Sequence, residues 1–180
     1  MRKGLNLGSG TNPSKSTEDI EYINIDIAQL DGVDMIYDLN DIPYPFEDET
    51  FDLIIMHDII EHLDKPIEVF KECYRLLKTG GKINLKVVHW SYRYTYSDPQ
   101  HKHAFGERYF RVLTGEIRAY YLDFHFKDLK INYLFDRKVI KKYVGKQYNR
   151  DLNEEDKTFL LKKGFFKVNV IQGMEVEMSK

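Results

Sequence analysis

The chain has 180 residues, 42% of them hydrophobic and 31% charged, with a formal net charge of −2. That length suits one domain with a buried core, and the composition excludes a disordered chain. The charge provides no global positive field to attract nucleic acid, so no nucleic-acid partner is expected.

Taken from the amino terminus, "MRKGLNLG" turns into a glycine motif too early for a secretory signal. No apolar run reaches the roughly 18 residues of a membrane-crossing helix. The single cysteine, Cys73, excludes an internal disulfide and fits a reducing compartment. A cytoplasmic location is therefore expected. Strands are predicted at residues 3–7, 22–27, 34–37, 51–56 and 82–88. Several are short, nearly continuous apolar runs, as in a parallel sheet buried on both faces. Between the first two lies "TNPSKSTEDIE", with a proline, four hydroxyl residues and almost no apolar periodicity, so the helix expected there is reduced or missing.

The clearest helix is "DKPIEVFKECYRLLKTGG". Asp64 is predicted to cap it, with Pro66 in the first turn and Ile67, Phe70, Tyr74 and Leu77 on one apolar face. Gly80 and Gly81 are predicted to stop it. Cys73 lies near that face and reads as core rather than nucleophile. Further on, "DLKINYLFD" reads as a strand and "FKVNVIQGMEVEM" as one strand or a strand pair closing the sheet. Between them, "RKVIKKYVGKQYNR" has six basic residues and no acid, with Ile140, Tyr143, Val144 and Tyr148 at helical spacing. A solvated helix face is the ordinary meaning. The alternatives are an acidic glycan or lipid carrier, or weak membrane-surface contact through residues 137–150. The whole is an α/β, Rossmann-like domain over residues 1–180, mostly parallel with an antiparallel C-terminal strand. Residues 1–88 form the cofactor-binding half and 89–180 the substrate-side, sheet-closing half.

In an open parallel sheet, ligands sit at the carboxyl ends of the strands. Gly8-Ser9-Gly10 follows the first strand, where glycines bring N–H groups close to a ligand. Asp26 ends the second, placed to accept from a ribose diol. Asp38 and Leu39 follow the third, placed for the amine and the face of a base. "MHDIIEHL" and "VVHWSYRY" follow the fourth and fifth. A nicotinamide dinucleotide needs a third glycine and a helix N-terminus aimed at its pyrophosphate. Here Pro13 stands at that position and no convincing helix follows. S-adenosyl-L-methionine has no phosphate, so the missing helix favours it over the dinucleotide.

These motifs, "LNLGSG", "INIDI", "DLNDIPYPFEDETFDLIIMHDIIEHL" and "ECYRLLKTGGKINL", resemble those of class I S-adenosylmethionine-dependent methyltransferases, particularly the small type 11-like group. "YINIDI" with "SDPQHKHAF" also looks like predicted methyltransferases associated with surface-glycan or sugar-nucleotide pathways. The resemblance implies that Asn6, Leu7, Gly8, Ser9 and Gly10 line the methionine and ribose side. It further implies that Asp26 binds the ribose, Ile27 lies against adenine, and Asp38 and Leu39 hold the adenine edge and face. His57 would flank the sulfonium. Glu61 and His62 of "EHL" read as structural.

Methyl transfer is a direct displacement, and a hydroxyl acceptor needs a base; histidine suits that role near neutral pH. His89, His101 and His103 follow the fifth strand. His101 is the first choice, in the family-like Asp-Pro-x-His pattern, with Asp98 to orient a histidine and His103 as the next candidate. The segment "HWSYRYTYSDPQHKH" then reads as a substrate lid. No metal is expected: "HDIIEH" is not a His-Glu-x-x-His helix signature, and there is no second cysteine. The expected function is O-methylation of a small molecule, sugar or glycan by a monomer or homodimer. A catalytically inactive donor-binding module and an NAD-dependent reductase are the alternatives.

Overall fold

The computed structural model describes residues 1–144, 146, 149, 152–164 and 170–180. Seven strands form one sheet: β1 (Arg2–Leu7), β2 (Ile20–Asp26), β3 (Met35–Ile36), β4 (Phe51–His57), β5 (Leu77–Val88), β6 (Lys127–Phe135) and β7 (Ile171–Ser179). Their order is β3-β2-β1-β4-β5-β7-β6. The first five run parallel, while β7 is antiparallel to both β5 and β6. The mostly parallel, Rossmann-like α/β fold with an antiparallel C-terminal edge is thus the one expected.

The apolar runs form strands because both faces of the central sheet are covered. Leu5, Leu7, Ile54, Met56, Ile83 and Leu85 are fully buried. Helix α1 (Pro66–Leu76) packs Val69, Phe70, Cys73 and Leu76 inward. The Cys73 thiol is buried, with its Sγ 3.8 Å from the Met56 sulfur, and burial pushes its pKa up. Its core role follows, since the nucleophilic thiolate is disfavoured there.

The helix departs from its predicted limits. Leu77 adopts extended backbone (ψ 136°) and pairs with Phe51 of β4, so the helix ends at Leu76, well before Gly80. Burying Leu77 in the sheet outweighs one more helical turn, and Gly80, at φ 79°, shapes an irregularity in β5 instead. The inward face turns accordingly toward Val69 and Cys73, leaving Ile67 and Tyr74 half-buried. Asp64 does not cap the helix; it accepts from Lys102 Nζ at 2.6 Å.

Past β5 come α2 (Tyr94–Ser97), α3 (Glu107–Leu113), α4 (Arg137–Val144) and α5 (Glu154–Gly164). Phe110 and Phe126 extend the core from α1 through ring contacts with Phe70, and Phe105 joins it by stacking on Phe110. A smaller cluster around Phe135, Ile140, Leu160 and Ile171 holds α4 and α5 beside the sheet edge. In the basic segment, Ile140 is buried and Tyr143 and Val144 pack against that cluster, while Tyr148 lies outside the described residues. Among the described residues, no helix is long and apolar enough to cross a membrane.

Candidate cofactor and catalytic site

Strand order reverses at β1, with β2 on one side and β4 on the other, so a crevice opens beyond their carboxyl ends. Residues 8–19, between β1 and β2, contain no helix. Side chains of β2 organise this polar loop instead. Asn24 Oδ1 accepts from Asn6 Nδ2 (3.1 Å) and from the Ser14 amide (2.7 Å). Asn24 Nδ2 donates to the Ser14 carbonyl (3.1 Å) and to Asp34 (3.0 Å). The Tyr22 amide donates to Ser16 Oγ at 2.8 Å. Loop polar groups that a helix would have satisfied internally are therefore satisfied by the sheet.

Asp26 closes the loop. Its Oδ2 accepts from the Gly10 amide at 2.7 Å and its Oδ1 from the Ala28 amide at 2.9 Å. Gly8, at φ 68°, lies so close to Ile59 that a Cβ would stand 2.5 Å from its Cγ1. Two cavities meet at Gly8. One, about 350 Å³, is lined by Asp26, Ile27, Asp38 and Leu39, with Tyr37, Asn40, Ile59, His62, Leu63, Gln100 and Lys102. The other, about 290 Å³, is lined by Asn6, Ser9, Asn12, Pro13, Ser14, Ile55, His57 and Asp58.

The residues expected at a cofactor are thus gathered, with refinements. Leu7 is wholly buried in the sheet and lines neither cavity, so it supports the site from beneath rather than facing it. Ile27 is 69% exposed at the first cavity, an apolar side chain left open to a ligand. Asp38 Oδ1 accepts from the Asn40 amide and side chain, which fixes the carboxylate. Leu39 is buried, and its carbonyl accepts from Tyr44 Oη at 3.0 Å. At the second cavity, His57 Nε2 lies 3.3 Å from Asn84 Oδ1. Ser9 Oγ is buried there without a hydrogen-bond partner. Sequence reasoning passed over Asp58, whose position immediately after β4 was its only signal. It pairs with Lys86 at 2.6 Å.

The post-β5 segment is docked rather than free. The Glu61 carbonyl, in the 3₁₀ turn Ile60–His62, accepts from the amides of Lys102 (2.8 Å) and His103 (3.2 Å). This brings His101 against His62, with ring centroids 4.8 Å apart. The His101 side chain is 8% exposed, its Nδ1 is 3.2 Å from the Thr95 carbonyl, and its Nε2 is 3.9 Å from Asp98. Asp98 therefore makes no orienting hydrogen bond to the ring; the Thr95 carbonyl orients it. His103 is not brought to the cavities: its Nε2 faces the Asp64 carbonyl at 3.3 Å. Of the lid rings, Trp90, Tyr94 and Tyr96 are exposed. The Glu61 carboxyl is fully buried, and burial pushes its pKa up. Its own amide and that of Val88 face it without closing a hydrogen bond.

His89 is set apart from that group. It is 6% exposed, with Nδ1 2.7 Å from Ser91 Oγ, and burial pulls its pKa down to about 4. The folded state thus holds this ring neutral and binds a proton less readily than the unfolded chain. Its contribution is intact above about pH 6.5 and is lost as pH falls toward 4, by roughly 3 kcal/mol at most. Urea unfolding across that window is expected to show wild-type stability dropping more steeply than His89→Gln; equal slopes would refute the burial argument. His89 also borders a larger, mainly apolar cavity of about 920 Å³ under α3, with Trp90, Tyr109, Val112 and Tyr133. That cavity shares no lining residue with the other two.

Comparison with known proteins agrees with this geometry. Residues 14–85 match the family model described as a methyltransferase domain. An uncharacterized protein of Methanocaldococcus jannaschii is 30% identical over 93 residues, 48% of this chain; the match spans 44% of that relative's length. A SAM-dependent methyltransferase from Archaeoglobus fulgidus superposes with a TM-score of 0.66 at 21% identity, over 99% of this chain and 86% of that one. Phosphoethanolamine N-methyltransferase 2 of Haemonchus contortus, in complex with S-adenosyl-L-methionine, gives 0.61 at 15% identity, over 99% of this chain and 48% of that one. Residues 14–85 are thus similar to a methyltransferase domain, and the chain shares the fold of S-adenosylmethionine-dependent methyltransferases.

Proposed function

We propose that the protein is an S-adenosylmethionine-dependent methyltransferase acting on an oxygen of a small molecule, sugar or glycan. The observation that carries this reading is the pair of cavities joined at Gly8, one with the Asp26 carboxylate and open Ile27, the other with Asp58 and the unpartnered Ser9 Oγ. The donor set fits: a carboxylate for two ribose hydroxyls, an apolar side chain for adenine, and a polar end for a zwitterionic tail. Residues 8–19 contain no helix whose N-terminus could face a diphosphate, as suits a ligand without one.

Bound there, S-adenosylmethionine supplies a methyl group activated by its sulfonium. The chain's own task is alignment and proton handling. Asp26 holds the ribose end and ties down the loop through Gly10, so that position is fixed before an acceptor arrives. Because a carbonyl only accepts, His101 Nδ1 donates to Thr95 and the ring's lone pair sits on Nε2. In this reading that lone pair takes the acceptor's proton, an effect of about 10²–10⁴ in rate.

Calorimetry with S-adenosylhomocysteine and NAD in parallel tests the reading. Binding of the former and not the latter is expected, and the reverse would overturn it. Turnover is then read with labelled donor and a panel of nucleotide sugars and glycans. His101→Ala is expected to spare S-adenosylhomocysteine binding and to lower turnover about a hundredfold or more. Donor binding with no turnover on any acceptor would instead favour a catalytically inactive module.

A further inference from the structure

The group Glu61, His62 and His101 has a composition and placement that proton transfer by one histidine leaves unused. One donor atom from each lies within 4.8 Å of the others. The Glu61 side chain is 0% exposed, and neither carboxylate oxygen has a hydrogen-bond partner. A buried carboxylate without a partner is costly unless a cation or a donor meets it. Among the described residues only the Glu61 and Val88 amides face it, without closing a hydrogen bond, and Lys102, the adjacent lysine, is committed to Asp64 at 2.6 Å.

Both histidines are prepared for the same task. His62 Nδ1 lies 3.1 Å from the Gln100 carbonyl, and His101 Nδ1 lies 3.2 Å from the Thr95 carbonyl. Each Nδ1 must carry the proton, because the carbonyl oxygen can only accept. That leaves both lone pairs on Nε2, with each ring's orientation fixed by a backbone carbonyl. A histidine held this way by its other nitrogen is the usual arrangement of a metal ligand. His101 Nε2 also stands 3.9 Å from Asp98, a second negative group beside the cluster.

We propose that Glu61, His62 and His101 form a binding site for one divalent first-row transition-metal ion. Two imidazole nitrogens and one carboxylate select Zn²⁺, Fe²⁺, Mn²⁺ or Co²⁺ over the oxygen-seeking Mg²⁺ and Ca²⁺. Bonds of about 2.0–2.1 Å set neighbouring donors of a tetrahedral centre about 3.4 Å apart, so the three groups close by about 1 Å onto an ion. Three protein donors leave a coordination position for water or another ligand. His62 lines the adenosine-side cavity, so the ion stands in that cavity's wall. Its Lewis-acid chemistry there would take the place of the His101 lone pair as the activating group, and this consequence alone rests on the methyltransferase reading.

The test uses the full chain stripped with a chelator, then titrated with Zn²⁺ and separately with Mg²⁺ by calorimetry. One Zn²⁺ per chain is expected, with no comparable heat from Mg²⁺. His62→Ala, His101→Ala and Glu61→Gln are each expected to weaken Zn²⁺ binding at least about a hundredfold, since even an outer-shell change costs 10–100-fold. His103→Ala should bind Zn²⁺ as the wild type does. Glu61→Gln also guards against simple misfolding. Its thermal midpoint without metal should be no lower than the wild type's, and it should not rise with Zn²⁺ as the wild type's does. Absence of Zn²⁺ binding, or binding that survives all three substitutions, overturns the site. S-adenosylhomocysteine is titrated separately. A chain that binds it but not Zn²⁺ loses the metal site and keeps the methyltransferase reading, and the converse result keeps only the metal site.

Discussion

Asp26→Ala is expected to weaken S-adenosylhomocysteine binding at least about a hundredfold, measured by calorimetry on a variant whose circular dichroism matches the wild type. The carboxylate ends β2 at the wall of the cavity lined by Ile27, Asp38 and Leu39. Each of its oxygens already accepts one amide, from Gly10 and from Ala28, and each keeps a further lone pair for a ribose hydroxyl. A hydrogen bond to a charged group contributes about 1.5–3 kcal/mol, and every 1.4 kcal/mol is a factor of ten. Losing two such bonds gives the expected figure before the freed Gly10 loop is counted. Asp26→Asn keeps one acceptor oxygen and should fall between. Affinity unchanged by Asp26→Ala would refute the ribose assignment.

The second large effect concerns stability. Arg75, on α1, is the hub that ties residues 44–48 to the core. Its Nε and Nη2 donate to the two Glu72 oxygens at 3.0 and 2.5 Å. Its Nη1 donates to the Phe46 carbonyl (2.9 Å) and to Asp48 (2.6 Å), and Nη2 also reaches the Tyr44 carbonyl at 3.3 Å. The Glu72 side chain is only 6% exposed, and its one other partner shown is the Tyr44 amide at 2.7 Å. Arg75→Ala strands that carboxylate. Breaking a buried pair costs about 3–5 kcal/mol, and the partly exposed guanidinium places this case near 3. Arg75→Lys should recover little, because an ammonium lacks the planar fork that serves several acceptors at once. Arg75→Met with Glu72→Gln should recover most of the loss by removing both charges. Urea unfolding reads all three, and a loss below about 1 kcal/mol for Arg75→Ala would show that the pair is not coupled to folding.

Much of the candidate cofactor side was legible in the sequence because its information is local. Glycines at Gly8 and Gly10, an acid closing a short apolar run at Asp26, and Pro13 in a polar stretch each act within a few residues. The structure places Asp26 on the Gly10 amide and finds a loop where the helix was absent. The catalytic side was less legible. His101, Asp98 and His103 sit within six residues of one another, yet their partners lie elsewhere in the chain. His101 faces Thr95 and His62, and His103 faces Asp64. Spacing suggested an Asp98–His101 pair, but the Thr95 carbonyl takes the ring nitrogen that Asp98 was expected to orient. The helix limit was missed for a related reason: local glycines competed with a distant strand, and pairing of Leu77 with Phe51 prevailed.

By itself the sequence determined the α/β alternation, the buried parallel strands, the short polar first loop and the type of group at each strand end. Those features follow from backbone propensity and from which residues avoid water, and both are written in the neighbouring residues. Only the tertiary structure decided that Glu61, His62 and His101 come together, with His62 on the wall of a cavity. That contact spans some 40 residues and depends on β4 and β5 lying side by side, with the Glu61 carbonyl catching the returning chain at Lys102 and His103. Periodicity carries no record of a hydrogen bond between two loops. It is the sheet that sets how far apart their ends stand.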